Sequence, residues 1–201
     1  MTYEPRDTRP VNASSTLVGI VSIQALLGLE FLLGGINKLA TPAYTDRFRG
    51  FVAMSPGAQH GALSPILHTL VLPQFAIMAQ LARFTELSAG LLLLVTAAEV
   101  VRLRFGGRWL RHEPLASLAA AAAAVTLGGL SMTIYLLQGG TIPGVNPASA
   151  FGPPIAIELF NVPIALVIAW VQLGRFFSVR SAQVAGRRLP AALPLTEEAA
   201  A

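Results

Sequence analysis

Cysteine is missing from the 201 residues, and charged side chains make up only 12% of them. Without cysteine the chain forms no disulfide, offers no thiolate to an iron–sulfur cluster or zinc ion, and runs no thiol redox chemistry. Any redox centre has to be a bound cofactor or to lie on a partner. The scarcity of charge excludes an ordinary soluble domain, in which about 25% of residues are charged. Histidine is sparse as well, at three residues. A bis-histidine haem needs two imidazoles at one depth inside a bundle, whereas His60 and His68 fall in or near one loop and His112 in another. No metal site is expected.

What fills the chain is hydrophobic side chain, 54% of residues, with a mean hydropathy of +0.62. The net charge of +4 does not point to nucleic acid, because the bases sit in short segments beside apolar runs, where the positive-inside rule accounts for them. The expected fold class is all-α: an integral membrane four-helix bundle whose first partner is the lipid bilayer.

A bilayer crossing takes about 20 mainly apolar residues. Four runs qualify, at about 16–39, 72–103, 115–138 and 154–177, so that residues 16–178 form the transmembrane domain between an N-tail, 1–15, and a C-tail, 179–201. The first run contains Glu30, lacks an A-x-A cleavage site and is too long for a signal sequence, so it reads as a helix. Pro42 stops it. The following AYTDRFRGFVAM reads as a short amphipathic helix in the interface. Ser64-Pro65 reads as an N-cap and a first-turn proline, leading through PILHTLVL to a kink at Pro73. Trp109 is expected to anchor at the interface, and Pro163 to kink the fourth helix. No internal repeat is visible.

Of the 14 lysines and arginines, ten lie in the N-tail, in the link between the second and third runs, and from Arg175 onward. Only Lys38, Arg47 and Arg49 lie on the opposite side, so both termini are expected to be cytoplasmic. The sequon Asn12-Ala13-Ser14 then stands on the wrong side for glycosylation.

The second run carries Arg83 and Glu86 well inside, where an ionisable group usually faces a partner or a cavity. On a helical wheel, Phe75, Ala79, Ala82, Arg83, Ala89, Gly90 and Ala97 share the side of Glu86, and Ile77, Phe84, Leu91 and Val95 lie opposite. The other runs carry comparable stripes: Gly19, Ile23, Leu26, Glu30, Leu33, Gly34 and Asn37 in the first; Ser117, Ala121, Ala124, Gly128, Ser131, Tyr135 and Gln138 in the third; Glu158, Asn161, Val162, Ala165, Ala169 and Gln172 in the fourth. Each stripe is expected to face inward. Glu30, Arg83, Glu86, Tyr135, Gln138, Glu158 and Asn161 then converge on one polar pocket. Arg83 is three residues from Glu86 and can also reach Glu30 or Glu158. Such a pocket can bind the polar head of a quinone or another small oxidisable molecule, with a carboxyl handling protons. It can equally be a buried ion network that fixes helix register. Glu99 reads as a partner for Arg102.

FLLGGINKLATP (31–42), TELSAGLLLLV (85–95) and NVPIALVIAWVQLGRFFSV (161–179), together with VLPQFAIMAQL (71–81), resemble the DoxX/DoxD family of four-helix bacterial membrane proteins. By this likeness Gly34, Lys38, Glu86, Gly90 and Gly174 occupy family-typical positions, while Ser178-Val179-Arg180 stands where family members often carry an acidic residue. The resemblance implies the bacterial cytoplasmic membrane and a subunit of a quinone-linked oxidoreductase, with thiosulfate as an example of the reductant. Glu86, Arg83 and Glu30 are then the expected catalytic residues. Asn37, Lys38, Tyr135, Gln138, Glu158 and Asn161 are expected to bind the quinone. The alternative is a non-catalytic accessory subunit packed against membrane-protein partners in a larger respiratory or photosynthetic assembly. A transporter is the third reading, supported only by the kinks at Pro73 and Pro163.

Overall fold

The computed structural model describes residues 13–104, 113–140 and 157–188. The N-tail to Asn12, the Trp109 anchor, His112, the loop before the fourth run and the last thirteen residues lie outside the described residues. All described regular structure is helical: α1 (Ala13–Ala40), α2 (Tyr44–Met54), α3 (Pro56–His60), α4 (Ser64–Ile66, continuing through a wide turn at Leu67–Val71), α5 (Phe75–Arg104), α6 (Glu113–Leu137) and α7 (Ile157–Arg188). α1, α5, α6 and α7 are each long and apolar enough to cross a membrane. The protein is a multi-pass helical bundle with lipid-compatible outer faces.

Small residues set the packing. In α1 and α5 the backbones touch at Gly28 and Gly90: a Cβ on Gly90 would stand 2.6 Å from the Leu32 amide nitrogen and 2.7 Å from the Gly28 carbonyl oxygen. Glycine is required there because no side chain fits between the two helices. On the other side of the bundle α6 lies along α7, with Gly128 against Ala165. The two pairs join chiefly through α5 and α6, and more sparsely through α1 and α7. Leu27, Phe31, Leu93, Leu127 and Ile168, with alanines of α5, α6 and α7, form the shared core. In hydrocarbon such packing replaces the hydrophobic effect as the force between helices.

The wheel of the second run matches α5: Ala79, Glu86, Ala89 and Ala97 are buried, and Ile77, Phe84, Leu91 and Val95 are exposed. Ser117, Ala121, Ala124, Ser131 and Tyr135 of α6 and Asn161, Ala165, Ala169 and Gln172 of α7 are likewise buried. α1 departs from expectation. It buries Val21, Gln24, Leu27, Gly28, Phe31 and Gly35, and turns Gly19, Ile23, Leu26, Glu30, Leu33 and Asn37 outward. The reason is steric, since the close contact with Gly90 selects the Gly28 side of the helix over the Glu30 side.

Three smaller differences concern helix ends. Leu63 precedes the first turn of α4 as its cap, and Ser64 is already helical, with Pro65 in the first turn. That helix widens at its end, where the Leu72 amide donates to the Leu67 carbonyl (2.8 Å); Pro73, lacking an amide hydrogen, cannot extend it. α7 continues through Pro163 and past residue 177 to Arg188, because no further proline follows before Pro190.

Candidate functional site

α1 repeats its buried face at Gln24, Gly28, Phe31 and Gly35, and one further step along that face arrives at Lys38. The Lys38 ammonium makes an ion pair with Glu86 Oε2, across the α1–α5 contact. The Glu86 side chain is 3% exposed and that of Lys38 29%. Gly34 leaves room for the carboxylate, since a Cβ there would be 3.3 Å from Glu86 Oε2.

A turn of three residues, Thr41 to Ala43, then folds the chain back. Ala43 carries it in the left-handed region (φ 52°, ψ 34°), a conformation disfavoured for residues with a Cβ. The result is that α2 lies back against α5. Val52 is its buried anchor, clustered with Ala58, Leu67 and Leu137. The amphipathic segment read from AYTDRFRGFVAM is therefore a roof over the bundle.

Beneath this roof lies a cavity of about 650 Å³ between α2, the Leu67–Val71 turn, α5 and α6. Phe48, Phe51, Met78, Leu130, Ile134 and Leu137 supply most of its apolar wall, and Lys38, Glu86, Tyr44 and Arg47 its polar end. Thr126 and Thr133 also face it, but their hydroxyls donate to Ala122 and Gly129 carbonyls of their own helix (2.9 and 2.8 Å). Those hydroxyls are therefore committed within α6. A predominantly apolar cavity with a few convergent polar groups is the usual form of a small-molecule site.

Tyr44, at the start of α2 and outside the four spans, has its phenol pushed up to about 12, first by burial and then by the negative charge of Glu86, against the opposing Arg83 guanidinium. It is a neutral hydroxyl at any physiological pH and can donate a hydrogen bond into the cavity.

The expected single pocket resolves into separate polar contacts. Lys38, not Arg83, is the partner of Glu86. Arg83 makes no ion pair among the described residues, and its Nε is buried without a hydrogen bond. Glu30 meets Asn161 across α1 and α7, with Asn161 Nδ2 donating to Glu30 Oε1 (2.9 Å). Gln138 Nε2 donates to Glu158 Oε1 (3.3 Å), joining α6 to α7. Tyr135 is buried, and Asn37 is exposed. Of the expected site residues, only Lys38 and Glu86 line the roofed cavity. Glu30 and Asn37 miss it because α1 is rotated from the expected face, and Glu158 and Asn161 make their contacts with Gln138 and Glu30 instead.

Two contacts had no place in the sequence reading. Gln24 is fully buried; its Nε2 donates to Thr96 Oγ1 (2.8 Å) and to the Leu93 carbonyl (2.9 Å), and its Oε1 accepts from Gln172 Nε2 (2.7 Å). The signal was present as a lone amide in an apolar run, four residues before Gly28. At the end of the bundle where α1 starts and α7 finishes, Glu113 is buried and accepts from Arg175 Nε (2.9 Å). The Glu99–Arg102 pair is as expected, with Arg102 Nε donating to Glu99 Oε2 (2.6 Å). His68 is exposed, with Nε2 3.2 Å from the Ala58 carbonyl oxygen. Among the described residues no group of three or more His, Asp or Glu stands together in a way that could hold a metal. Neither a protein-family model, nor a curated protein, nor a solved structure matches the chain.

Proposed function

We propose that the roofed cavity is the binding site for a quinone or a close chemical relative, in a subunit that passes electrons from a small reductant such as thiosulfate into the membrane quinone pool. The observation that carries this reading is the cavity of about 650 Å³ with an apolar body and the Lys38–Glu86 pair and Tyr44 at its polar end. The residues fit the group. An acceptor carbonyl on a planar ring finds the Tyr44 hydroxyl and the two ammonium hydrogens that Lys38 does not give to Glu86. Phe48, Phe51 and Met78 suit the ring, and Leu130, Ile134 and Leu137 suit an apolar tail.

A quinone supplies two-electron carrier chemistry when bound. The chain's own contribution is positional. Lys38 and Tyr44 hold the carbonyl end, and the apolar wall excludes water. The second oxygen of Glu86 holds or releases a proton next to that end. The resemblance to the DoxX/DoxD family supports the same reading, as does the segregation of lysine and arginine, which orients both termini toward the cytoplasm of a bacterial cell. In that orientation α2 roofs the cavity on the outer face, where a small water-soluble reductant arrives.

Purification in mild detergent, followed by organic extraction and mass spectrometry, tests the reading. Quinone is expected in the wild-type extract and is expected to fall several-fold in Lys38→Met and Glu86→Gln proteins that keep their helical circular dichroism. A quinone-free wild-type protein that co-purifies stoichiometrically with a large membrane assembly would replace it with the accessory-subunit reading.

A further inference from the structure

The outward face of α1 is not an ordinary lipid-facing surface. Gly19, Ile23, Leu26, Glu30, Leu33 and Asn37 are all exposed, and the steps between them run four, three, four, three, four. That is a heptad seam, with Ile23, Glu30 and Asn37 at one core position and Gly19, Leu26 and Leu33 at the other. Leu26 is 67% and Leu33 55% exposed, and a Cβ on Gly19 would meet nothing within 4 Å. The opposite side of α1 is already committed to α5 through Gly28 and Gly35. α1 therefore carries a second packing face, which the bundle engages only where Asn161 of α7 meets Glu30.

The polar residues of this seam identify its occupant. Glu30 lies near the middle of the Val18–Ala40 span, where lipid offers a carboxyl no hydrogen bond. Asn161 satisfies Oε1 only. Asn37 repeats the same core position one heptad later and is also exposed. In a parallel pair of helices, residues at one core position face their own copies, and an asparagine there bonds to its counterpart and fixes register. Two copies of one chain in one membrane present α1 in parallel by necessity. Glu30 then faces Glu30, Asn37 meets Asn37, and Leu26 and Leu33 close on themselves.

We infer that the Gly19–Asn37 face of α1 is the interface of a parallel two-fold dimer of this protein, with Glu30 and Asn37 as its register-setting polar pairs. The inference stands apart from the quinone reading, because none of the six seam residues lines the cavity.

The absence of cysteine makes the test direct. Single replacements Leu26→Cys, Leu33→Cys and, as an exposed control on α5, Leu91→Cys are oxidised with copper-phenanthroline in native membranes. Covalent dimer is expected from the first two, several-fold above the third. Adding Asn37→Val to Leu33→Cys is expected to lower the cross-linked fraction several-fold, with helical content and melting temperature monitored to show that the bundle persists. Equal cross-linking at all three positions, or none at any, overturns the dimer. Cross-linking of Leu26→Cys and Leu33→Cys only to a chain of different mass overturns the second copy as occupant. An unchanged fraction after Asn37→Val overturns the role of the polar pairs.

Discussion

Lys38 closes on Glu86 across two helices, although Arg83 stands three residues from the same carboxylate on its own helix. The choice follows from geometry. Lys38 lies on the face of α1 that the Gly28–Gly90 contact presses against α5, while the Arg83 guanidinium leans over the Phe84 ring, 5.2 Å from its centroid. Breaking a buried pair from one side leaves an unpaired charge, at a cost of about 3–5 kcal/mol for full burial. Since Lys38 is 29% exposed, Glu86→Gln is expected near or below the low end of that range and Lys38→Met higher. The double variant Lys38→Met/Glu86→Leu is expected to recover most of the loss. Denaturant titration in detergent, followed by circular dichroism, reads all three.

Gly90 predicts the opposite kind of sensitivity. A methyl group there would run into the Leu32 amide nitrogen at 2.6 Å, and backbone cannot move aside as a flexible side chain can. Overpacking of this kind costs about 1–3 kcal/mol, so Gly90→Ala is expected to separate α1 from α5 and to lower the melting temperature. Gly129 on α6 has open space around the same position. Gly129→Ala is expected to be neutral or to stabilise, by up to about 1 kcal/mol from helix propensity. Equal effects from the two alanines would show that the α1–α5 approach is looser than described.

The helical character of the chain and its four apolar spans were legible because periodicity and length report them directly. So were the inward faces of α5, α6 and α7, where small and polar residues share one stripe and bulky residues the other. α1 was not, because it has two stripes. Glu30 and Asn37 drew attention as ionisable and polar residues, yet the tighter constraint was the glycine at 28, whose value depends on Gly90, 62 residues away in a different helix. The polar contacts inherit that difficulty. A wheel shows which side chains share a face of one helix, but the pairing of Lys38 with Glu86, or of Glu30 with Asn161, depends on the rotation of both helices at once. The roof was half legible: its amphipathic pattern was plain, while its placement over a cavity depends on the tight turn at Ala43.

Gln24 shows what the missed face holds. Its amide joins α1 to α5 through Thr96 and the Leu93 carbonyl and to α7 through Gln172, so one side chain ties three spans together. Gln24→Leu leaves the Gln172 amide and the Leu93 carbonyl oxygen without that partner, and a buried polar group left unsatisfied costs about 1–3 kcal/mol. Replacing both, as Gln24→Leu/Gln172→Leu, removes the stranded amides together and is expected to be less destabilising than the sum of the singles. A double-mutant cycle of unfolding free energies in detergent measures the coupling. Strict additivity would mean that the two amides do not act as a unit.

Tyr44 gives the fold a signature at high pH. Its phenol ionises near 10 when solvated and is pushed up to about 12 in the folded protein. Between these values the unfolded chain has lost the phenolic proton and the folded chain keeps it, so the unfolded state binds fewer protons and stability falls as pH rises. The contribution is complete below pH 10 and is lost as pH climbs through about 12. The chain has three tyrosines, so the absorbance titration of wild type minus that of Tyr44→Phe isolates this one. The difference titration is expected to be centred near pH 12 in folded protein and near 10 after denaturation. In Glu86→Gln the negative neighbour is gone, and the centre is expected to move down while remaining above 10, because burial is the larger cause. A wild-type centre already at 10 would mean that α2 does not close over the cavity, and the roof would have to be abandoned.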